Sequence, residues 1–272
     1  MKRTVFIVSD GTGITAAALA HSLLTQFSAV QFQEKMLPYI DSEKKARAVS
    51  RQINKALQED GIKPLVFSTL VDPKIRNIIG TSHGMVLDFF NTFIDPLELE
   101  LQVKSSYSIG KTHGQREDER YNSRMEAIDF TLKTDDGLSI NEYKKADVIL
   151  LGVSRAAKTP TCLYLAMQFG IFAANYPITE EDLTAGNLPK FLLPYRKKSH
   201  GLTIDPERLH HIRTNRKPGS RYASLLQCQK EVHTVEALFE KWQIPYINST
   251  TRSIEEIATT IISTLKLQRR LF

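Results

Sequence analysis

Apolar and polar positions in the first part of the chain alternate between the spacings of strands and helices. A β-branched apolar run at residues 4–9 predicts a buried strand, and an Ala- and Leu-rich stretch at 14–27 predicts a helix. Residues 30–40 predict a second strand. This order of strand, helix and strand is the start of a βαβ unit.

A second unit follows directly. Asp41 or Ser42 is placed to cap a polar helix that ends near Gly61. A strand at residues 64–71 and a further helix starting near Asp72 come next. Because crossovers between parallel strands are right-handed, this alternation predicts a parallel sheet with helices on both faces.

Residues 104–137 break the pattern. They form a polar stretch that is densely charged between residues 110 and 120. Connections of this length in compact proteins are usually functional or disordered, so we expect a long loop or interdomain connector that is a candidate substrate-facing lid. A solvated surface loop is the alternative.

Alternation resumes after a turn signal at residues 135–137. The pattern predicts strands at 148–151, 201–204 and 244–248, and helices at 163–169, from 205, at 224–242 and near the C-terminus. The last helix carries a capping box formed by Ser253 and Glu256. We therefore expect two domains, an N-terminal α/β domain with its charged connector at 1–140 and a nucleotide-binding domain at 141–272.

The composition is that of an ordinary globular protein. Of the 272 residues, 42% are hydrophobic and 24% are charged, which excludes disordered, collagen-like and disulfide-rich classes. Cys162 and Cys228 lie far apart without metal-ligand spacing, so we expect two reduced structural thiols. The formal charge of +6 suits a nucleic acid, an anionic membrane surface or a phosphorylated ligand, and does not choose among them.

The sequence shows no segment typical of secretion or of a membrane span. The N-terminal apolar run is too short for a signal peptide, and the most apolar later stretch, 77–94, is interrupted by His83 and Asp88. We therefore expect a cytoplasmic protein that does not engage a membrane.

The strongest local signal is the segment GVSRAAKT at 152–159, between a predicted strand and an apolar helix pattern. A phosphate-binding loop (P-loop) needs inward-facing amides, a lysine for phosphate oxygens and a hydroxyl for Mg²⁺, with a helix N-terminus behind them. Gly152, Lys158 and Thr159 occupy those places, with Thr159 as the metal ligand. The predicted nucleotide-binding residues are Gly152, Val153, Ser154, Arg155, Ala156, Ala157, Lys158 and Thr159.

Ala157 departs from this pattern, because it stands where the usual P-loop has its second glycine. A backbone angle that favours glycine is therefore either avoided or strained there. A basic turn between strand and helix is the alternative to phosphate binding.

A competing motif lies near the N-terminus. Residues 11–16, GTGITA, fit the GxGxxA dinucleotide fingerprint after a strand, and Glu34 stands about 20 residues further on, where a ribose-binding acid is expected. A nicotinamide site is therefore one alternative. A plain tight turn between strand and helix is the other.

Further motifs are spread over the whole chain. They are SDGTG at 9–13, MEAIDF at 125–130, DDG at 135–137, VSR at 153–155, KTP at 158–160, ANYP at 174–177, GLTIDPERL at 201–209, RYAS at 221–224 and SIEEIA at 253–258. Together they resemble the family of pyruvate, phosphate dikinase and phosphoenolpyruvate synthase regulatory proteins. The last three motifs are more similar to the branch that regulates the synthase.

The expected fold is α/β, an N-terminal doubly wound parallel-sheet domain followed by a P-loop kinase-like α/β domain. The resemblance implies a bifunctional enzyme with phosphoenolpyruvate synthase as its protein substrate. One implied activity is a Ser/Thr kinase that uses ADP to phosphorylate a threonine of the target. The other is a phosphorylase in which inorganic phosphate removes that group as pyrophosphate.

The resemblance also implies the conditions of these reactions. The target's catalytic histidine has to be phosphorylated before the kinase step. ADP and inorganic phosphate are the implied co-substrates, Mg²⁺ is the implied metal, and a homodimer is the implied assembly.

Phosphoryl transfer depends mainly on positioning and on neutralising spread negative charge, so Lys158 is expected to hold the phosphates. Asp10, Asp135 and Asp136 are candidates for the base that takes the proton from the target hydroxyl, with plain turn residues as the alternative. His113 is a candidate contact to the phosphate or phosphohistidine of the target. A charged, solvated loop is the alternative for His113.

Rival functions stay open at this point. The first is the same chemistry with pyruvate, phosphate dikinase as the target. The second is a nucleic-acid-binding module, although the sequence has no nucleic-acid-binding motif and its basic residues alternate with acidic ones, so no nucleic acid is expected. The third is an NAD-dependent oxidoreductase.

A basic group formed by Arg213, Arg216 and Arg221 is a candidate docking surface for the protein substrate.

Overall fold

The computed structural model describes residues 2–106 and 116–268, without the side chains of 116–120. The chain divides into two compact units, Met1–Gly114 and Gln115–Phe272. A compact unit is defined by its internal contacts, whereas a domain folds by itself, so the expected domain extents 1–140 and 141–272 stay predictions.

The N-terminal unit is a parallel sheet with helices. Its strands are β1 (Lys2–Ser9), β2 (Gln31–Leu37), β3 (Leu65–Thr69) and β4 (Met85–Asp88), and its helices are α1 (Ile14–Leu24), α2 (Glu43–Asp60), α3 (Pro73–Gly80) and α4 (Phe89–Leu101). The strands pair in parallel in the order β2-β1-β3-β4.

Strand β1 lies at the centre of this unit because its side chains are apolar on both faces. Phe6 and Val8 pack in one core cluster with residues of α2, including Ile53, whereas Val5 and Ile7 pack in another with residues of α1. The two clusters lie on opposite faces of the sheet, since side chains alternate along a strand. The predicted doubly wound arrangement is confirmed.

Local signals set the ends of the first helices. Ser42 accepts a hydrogen bond from the Lys45 amide at the start of α2, and Gly61 ends that helix with a left-handed φ of 67°. Asp72 accepts from the amides of Lys74 and Ile75 at the start of α3. These caps agree with the sequence prediction.

The predicted loop at 104–137 is wrong for its second half, where helix α5 (Arg116–Lys133) lies. The N-terminal half of α5 is charged and lacks an apolar stripe, so periodicity does not reveal it. Its C-terminal half buries Ala127 and Phe130. Helix α5 belongs to the C-terminal unit and packs against another helix of that unit. The Thr131 hydroxyl also donates to the Ala173 carbonyl at 2.9 Å.

The C-terminal unit has the same layered form. Its strands are β5 (Val148–Gly152), β6 (Ala173–Pro177), β7 (Ser199–Thr203) and β8 (Tyr246–Asn248), and its further helices are α6 (Lys158–Phe169), α7 (Glu180–Ala185), α8 (Pro206–Arg216), α9 (Leu225–Lys241) and α10 (Ile254–Leu265). Short 3-10 segments lie at Asp135–Gly137, Ile140–Lys145, Lys190–Lys198 and Arg221–Ala223. The strands are parallel in the order β6-β5-β7-β8.

The predicted starts of the last three helices of this unit are confirmed, whereas α6 begins at Lys158, earlier than the apolar pattern at 163–169 indicates. Asp205 caps α8, Ser224 caps α9, and the capping box of Ser253 and Glu256 is formed at α10. Cys162 and Cys228 are buried free thiols, as expected. Strands β4 and β6 and helices α4 and α7 were not predicted.

The strand order positions the site. From β5 the chain moves to β6 on one side, and the later strand β7 pairs on the other side. Open parallel sheets bind ligands at such a reversal, outside the carboxyl ends of the strands.

Within the described ranges, the structure has no helix with both the length and the apolar character of a membrane span.

Candidate phosphate-binding site

The segment after β5 is a tight loop that leads directly into α6 at Lys158. Gly152 lies at the start of the loop, where a Cβ would collide with the backbone carbonyl oxygen of Leu202 on the neighbouring strand β7. A glycine is needed here because a backbone atom, unlike a flexible side chain, has little room to move aside.

Two loop residues other than glycine adopt left-handed backbone angles. Arg155 has a φ of 77°, and Ala157, the N-cap of α6, has a φ of 64°. This conformation costs roughly 1–2 kcal/mol for an L-residue with a side chain. The angle that favours glycine is therefore strained at Ala157 rather than avoided, and such strain is concentrated at functional sites.

The loop presents backbone amides that carry no internal partner. Within the described ranges, the amides of Arg155, Lys158 and Thr159 donate to no protein acceptor. Unpaired amides at a helix N-terminus attract anions, because the N–H groups and the helix dipole both favour negative charge. The loop therefore has the chemistry of an anion cradle.

Lys158 is held beneath this loop with only 4% of its surface exposed. Its Nζ donates to the Val153 carbonyl at 2.9 Å. Burial lowers the pKa of the Lys158 ammonium to about 8, and the nearby carboxylates of Asp136 and Asp135 oppose that shift. The ammonium is thus weakly solvated and close to its own loop.

Asp135 and Asp136 reach the loop from the turn that follows α5. An Asp135 carboxylate oxygen accepts hydrogen bonds from the Thr159 hydroxyl, at 2.9 Å, and from the Asn175 side-chain amide. The Asp136 amide donates to the Asn175 side-chain oxygen at 3.1 Å, and Asp136 has a φ of 47°. Asn175, fully buried on β6, therefore fixes this turn against the loop.

A cavity of about 270 Å³ lies over the loop. Its lining residues are Asp136, Ser154, Arg155, Ala157, Lys158, Thr159 and Pro160. One predicted acidic candidate and five of the eight predicted nucleotide-binding residues thus face a common space.

Comparison with known proteins decides the family. The profile of the kinase/pyrophosphorylase family matches residues 5–262. The chain belongs to the kinase/pyrophosphorylase family. It is therefore an enzyme of the phosphotransferase type, and the family resemblance found in the sequence is confirmed.

Curated relatives of this kinase/pyrophosphorylase cover its whole length. A protein of Legionella pneumophila (strain Corby) is 55% identical over 100% of both chains. A protein of Pseudomonas aeruginosa (strain LESB58) is 53% identical over 99% of this chain and 98% of its own. One of Alkalilimnicola ehrlichii is 52% identical over 100% and 98%. Each is named "Putative phosphoenolpyruvate synthase regulatory protein".

The remaining predicted residues of the kinase/pyrophosphorylase lie elsewhere. Val153 and Ala156 belong to the loop, but both are fully buried and neither lines the cavity. Asp10 lies in the N-terminal unit, where its carboxylate accepts the Val71 amide at 2.7 Å. His113 lies outside the described residues. The proposed roles of all these residues stay predictions.

Arg213 was expected on a docking surface, and this expectation is wrong because its side chain is 1% exposed. Arg216 and Arg221 are exposed, and Arg221 forms an ion pair with Glu180 at 2.6 Å.

Two residues of the site, Asn175 and Tyr222, received no role from the sequence, although both stand in the motifs that carry the resemblance. Their side chains contact Asp135 and Ser154 respectively.

The donor set beside the loop suits a hard cation. Thr159 and Asp135 place a hydroxyl and a carboxylate next to each other, and Asp136 adds a second carboxylate on the same cavity. Mg²⁺ prefers oxygen ligands and is usually held by one or two carboxylates together with substrate phosphates. Within the part of the chain that the structure describes, no group of three or more His, Cys, Asp or Glu side chains is arranged to hold a metal ion.

Proposed function

We propose that the chain is a bifunctional regulator of phosphoenolpyruvate synthase. In one direction it is an ADP-dependent Ser/Thr kinase that inactivates the synthase by phosphorylating a threonine. In the other it is a phosphorylase that restores the threonine with inorganic phosphate and releases pyrophosphate. The names of the curated relatives support the target, and the family description supports the two activities.

One structural observation carries the proposal. Asp136, Lys158 and Thr159 surround one cavity, although Asp136 lies more than 20 positions earlier in the chain. Phosphoryl transfer needs a cation to neutralise charge, amides to orient the phosphates and an acceptor for one proton. All three kinds of group are present around this cavity.

In the kinase direction the β-phosphoryl group of ADP passes to the threonine oxygen, and AMP leaves. The Lys158 ammonium gives up its hydrogen bond to the Val153 carbonyl and donates to a phosphate oxygen instead. The loop amides hold the remaining phosphate oxygens. Asp136 accepts the threonine proton. Asp135 is less suited to that step, because its carboxylate already accepts from Thr159 and Asn175.

In the phosphorylase direction an oxygen of inorganic phosphate attacks the phosphorus of phosphothreonine. The threonine oxygen leaves and takes back a proton, and the products are pyrophosphate and free threonine. The same loop amides and Lys158 hold the attacking phosphate. Thr159 and Asp135 would hold Mg²⁺, which supplies further charge neutralisation to both reactions when it is bound.

The proposal is tested with β-labelled ADP and purified phosphoenolpyruvate synthase that has been preincubated with ATP, so that its catalytic histidine carries phosphate. The wild-type chain is expected to transfer label to a threonine. Lys158→Met is expected to abolish the transfer, whereas Lys230→Met, an exposed lysine of α9, leaves it unchanged.

A second variant tests the proton acceptor. Asp136→Asn is expected to lower turnover by roughly a hundredfold or more with ADP binding retained, because it removes the base but not the phosphate contacts. Asp129→Asn, an exposed carboxylate on α5, is the matched control. Label transfer by wild type to pyruvate, phosphate dikinase alone would change the target, and transfer to neither enzyme would refute the kinase proposal.

A further inference from the structure

Arg213 on α8 is the largest of the fully buried side chains in the described ranges. One terminal nitrogen of its guanidinium donates to the Tyr222 carbonyl at 3.0 Å. The other donates to the Ser154 carbonyl at 3.2 Å and to the Glu231 carboxylate at 2.7 Å. A single side chain therefore joins α8 to the loop after β5, to the Arg221–Ala223 turn and to α9.

Tyr222 holds the same loop residue at a second point. Its hydroxyl lies 3.0 Å from the Ser154 hydroxyl, and its ring centroid lies 4.1 Å from the guanidinium carbon of Arg213. The carbonyl and the side chain of Ser154 are thus both fixed by one connected group.

Fixing the Ser154 carbonyl also fixes the next amide. The peptide between Ser154 and Arg155 is trans, so its carbonyl and its N–H point in opposite directions. Arg213 binds the carbonyl from the buried side, and the Arg155 amide is therefore turned away from it. That amide has no protein acceptor within the described ranges, and Arg155 lines the cavity over the loop.

Stability alone does not account for an arginine at this position. Burying a guanidinium removes its hydration shell at a large cost, and apolar residues of similar volume often replace buried ion pairs without loss of stability. Glu231, with a side-chain exposure of 13%, is the carboxylate that pairs with it. The bonds to the Ser154 and Tyr222 carbonyls are what an apolar replacement would not reproduce, and only the first of these lies in the phosphate loop.

We propose that Arg213 is a positioning residue that orients the Ser154–Arg155 peptide, so that the Arg155 amide binds a phosphate oxygen of a nucleoside diphosphate or of inorganic phosphate. Tyr222 supports the same orientation through the Ser154 hydroxyl. This inference rests on the proposed function and adds the means by which the phosphate loop is held ready.

The test uses the full chain and the double variant Arg213→Met, Glu231→Gln, which removes both buried charges together. Arg208→Met, an exposed arginine on the same helix, is the control. The readouts are the amide resonance of Arg155 during titration with inorganic phosphate, calorimetric affinity for ADP, and thermal unfolding. We expect the double variant to stay folded but to unfold at a lower temperature, because the Ser154 and Tyr222 carbonyls lose their donor. We also expect it to lose the phosphate-induced shift of Arg155 and to bind ADP roughly tenfold more weakly or worse.

A folded double variant with the wild-type Arg155 shift and affinity would overturn the inference. If the double variant does not fold, Tyr222→Phe tests the same loop, with weaker ADP binding at an unchanged unfolding temperature as the expected result and wild-type affinity as the contrary one. Equal binding by wild type and variants overturns this inference alone. A wild-type chain that binds neither ADP nor phosphate overturns the proposed function as well.

Discussion

Arg155 and Ala157 hold left-handed backbone angles at positions where glycine would be unstrained. The protein retains this strain inside its phosphate loop, where the orientation of each amide matters to an anion. A side chain at such a position also narrows the angles that the loop can adopt, so strain and rigidity arise from the same residues.

Replacing Ala157 by glycine should relieve part of this strain. We expect Ala157→Gly to raise the free energy of unfolding by about 0.5–1 kcal/mol, since relief of the left-handed angle outweighs the added entropy of an unfolded glycine. Urea unfolding measures the change. Ala156→Gly is the matched control, because Ala156 is fully buried and lacks a left-handed angle, and it should be destabilising. A less stable Ala157→Gly variant would contradict the explanation.

His200 makes the C-terminal unit sensitive to acid. It is 1% exposed on β7, and burial lowers the pKa of its imidazole from 6.5 to about 4. The unfolded chain therefore binds a proton at a higher pH than the folded chain does. The stabilising contribution is present above pH 6.5 and is lost as the pH falls towards 4.

We expect the linked loss of unfolding free energy between pH 7 and pH 5 to be about 2 kcal/mol. His200→Gln removes the titrating group, so its unfolding free energy should change less over this interval. Denaturant unfolding at the two pH values measures the difference. His211→Gln, an exposed histidine on α8, should keep the wild-type slope. Equal slopes for His200→Gln and wild type would show that another group titrates.

At the scale of elements, five helices were predicted at a capping side chain, whereas α5 was not predicted, and neither were α4 and α7 although Asp88 and Thr179 cap them. The residues before α2, α3, α8, α9 and α10 are Ser or Asp side chains that accept the first free amides. Helix α5 depends instead on a short buried face around Ala127 and Phe130. Such a face is visible only when its partner helix is in place.

The capping box of α10 gives a test at this scale. Ser253→Ala should lower the free energy of unfolding by about 1 kcal/mol, because the Glu256 amide loses its acceptor at the start of the helix. Thr259→Ala, an exposed position in the middle of α10, is the control and should be nearly neutral. Urea unfolding followed by circular dichroism measures both. An unchanged Ser253→Ala variant would show that tertiary packing alone maintains the helix.

At the scale of the whole molecule, two parallel sheets repeat one plan. In each sheet, the first strand along the chain, β1 or β5, lies between the next two strands. Its carboxyl end therefore lies where the strand order reverses. The N-terminal unit places Ser9 to Gly13 at that point, and the C-terminal unit places the phosphate loop there. Family membership and the unpaired amides assign the phosphoryl chemistry to the second unit in our proposal.

The sequence by itself determined the features that depend on near neighbours: the alternation of strands and helices, the helix caps, and the loop from Gly152 to Thr159. These follow from hydrophobic period and from side chains that bond to backbone within three or four positions. The tertiary structure alone decided that Asp135 and Asp136 join Lys158 and that Arg213 is buried beneath Ser154. Those contacts join residues more than 20 positions apart, and no local pattern encodes them because only the packing of the sheet brings them together.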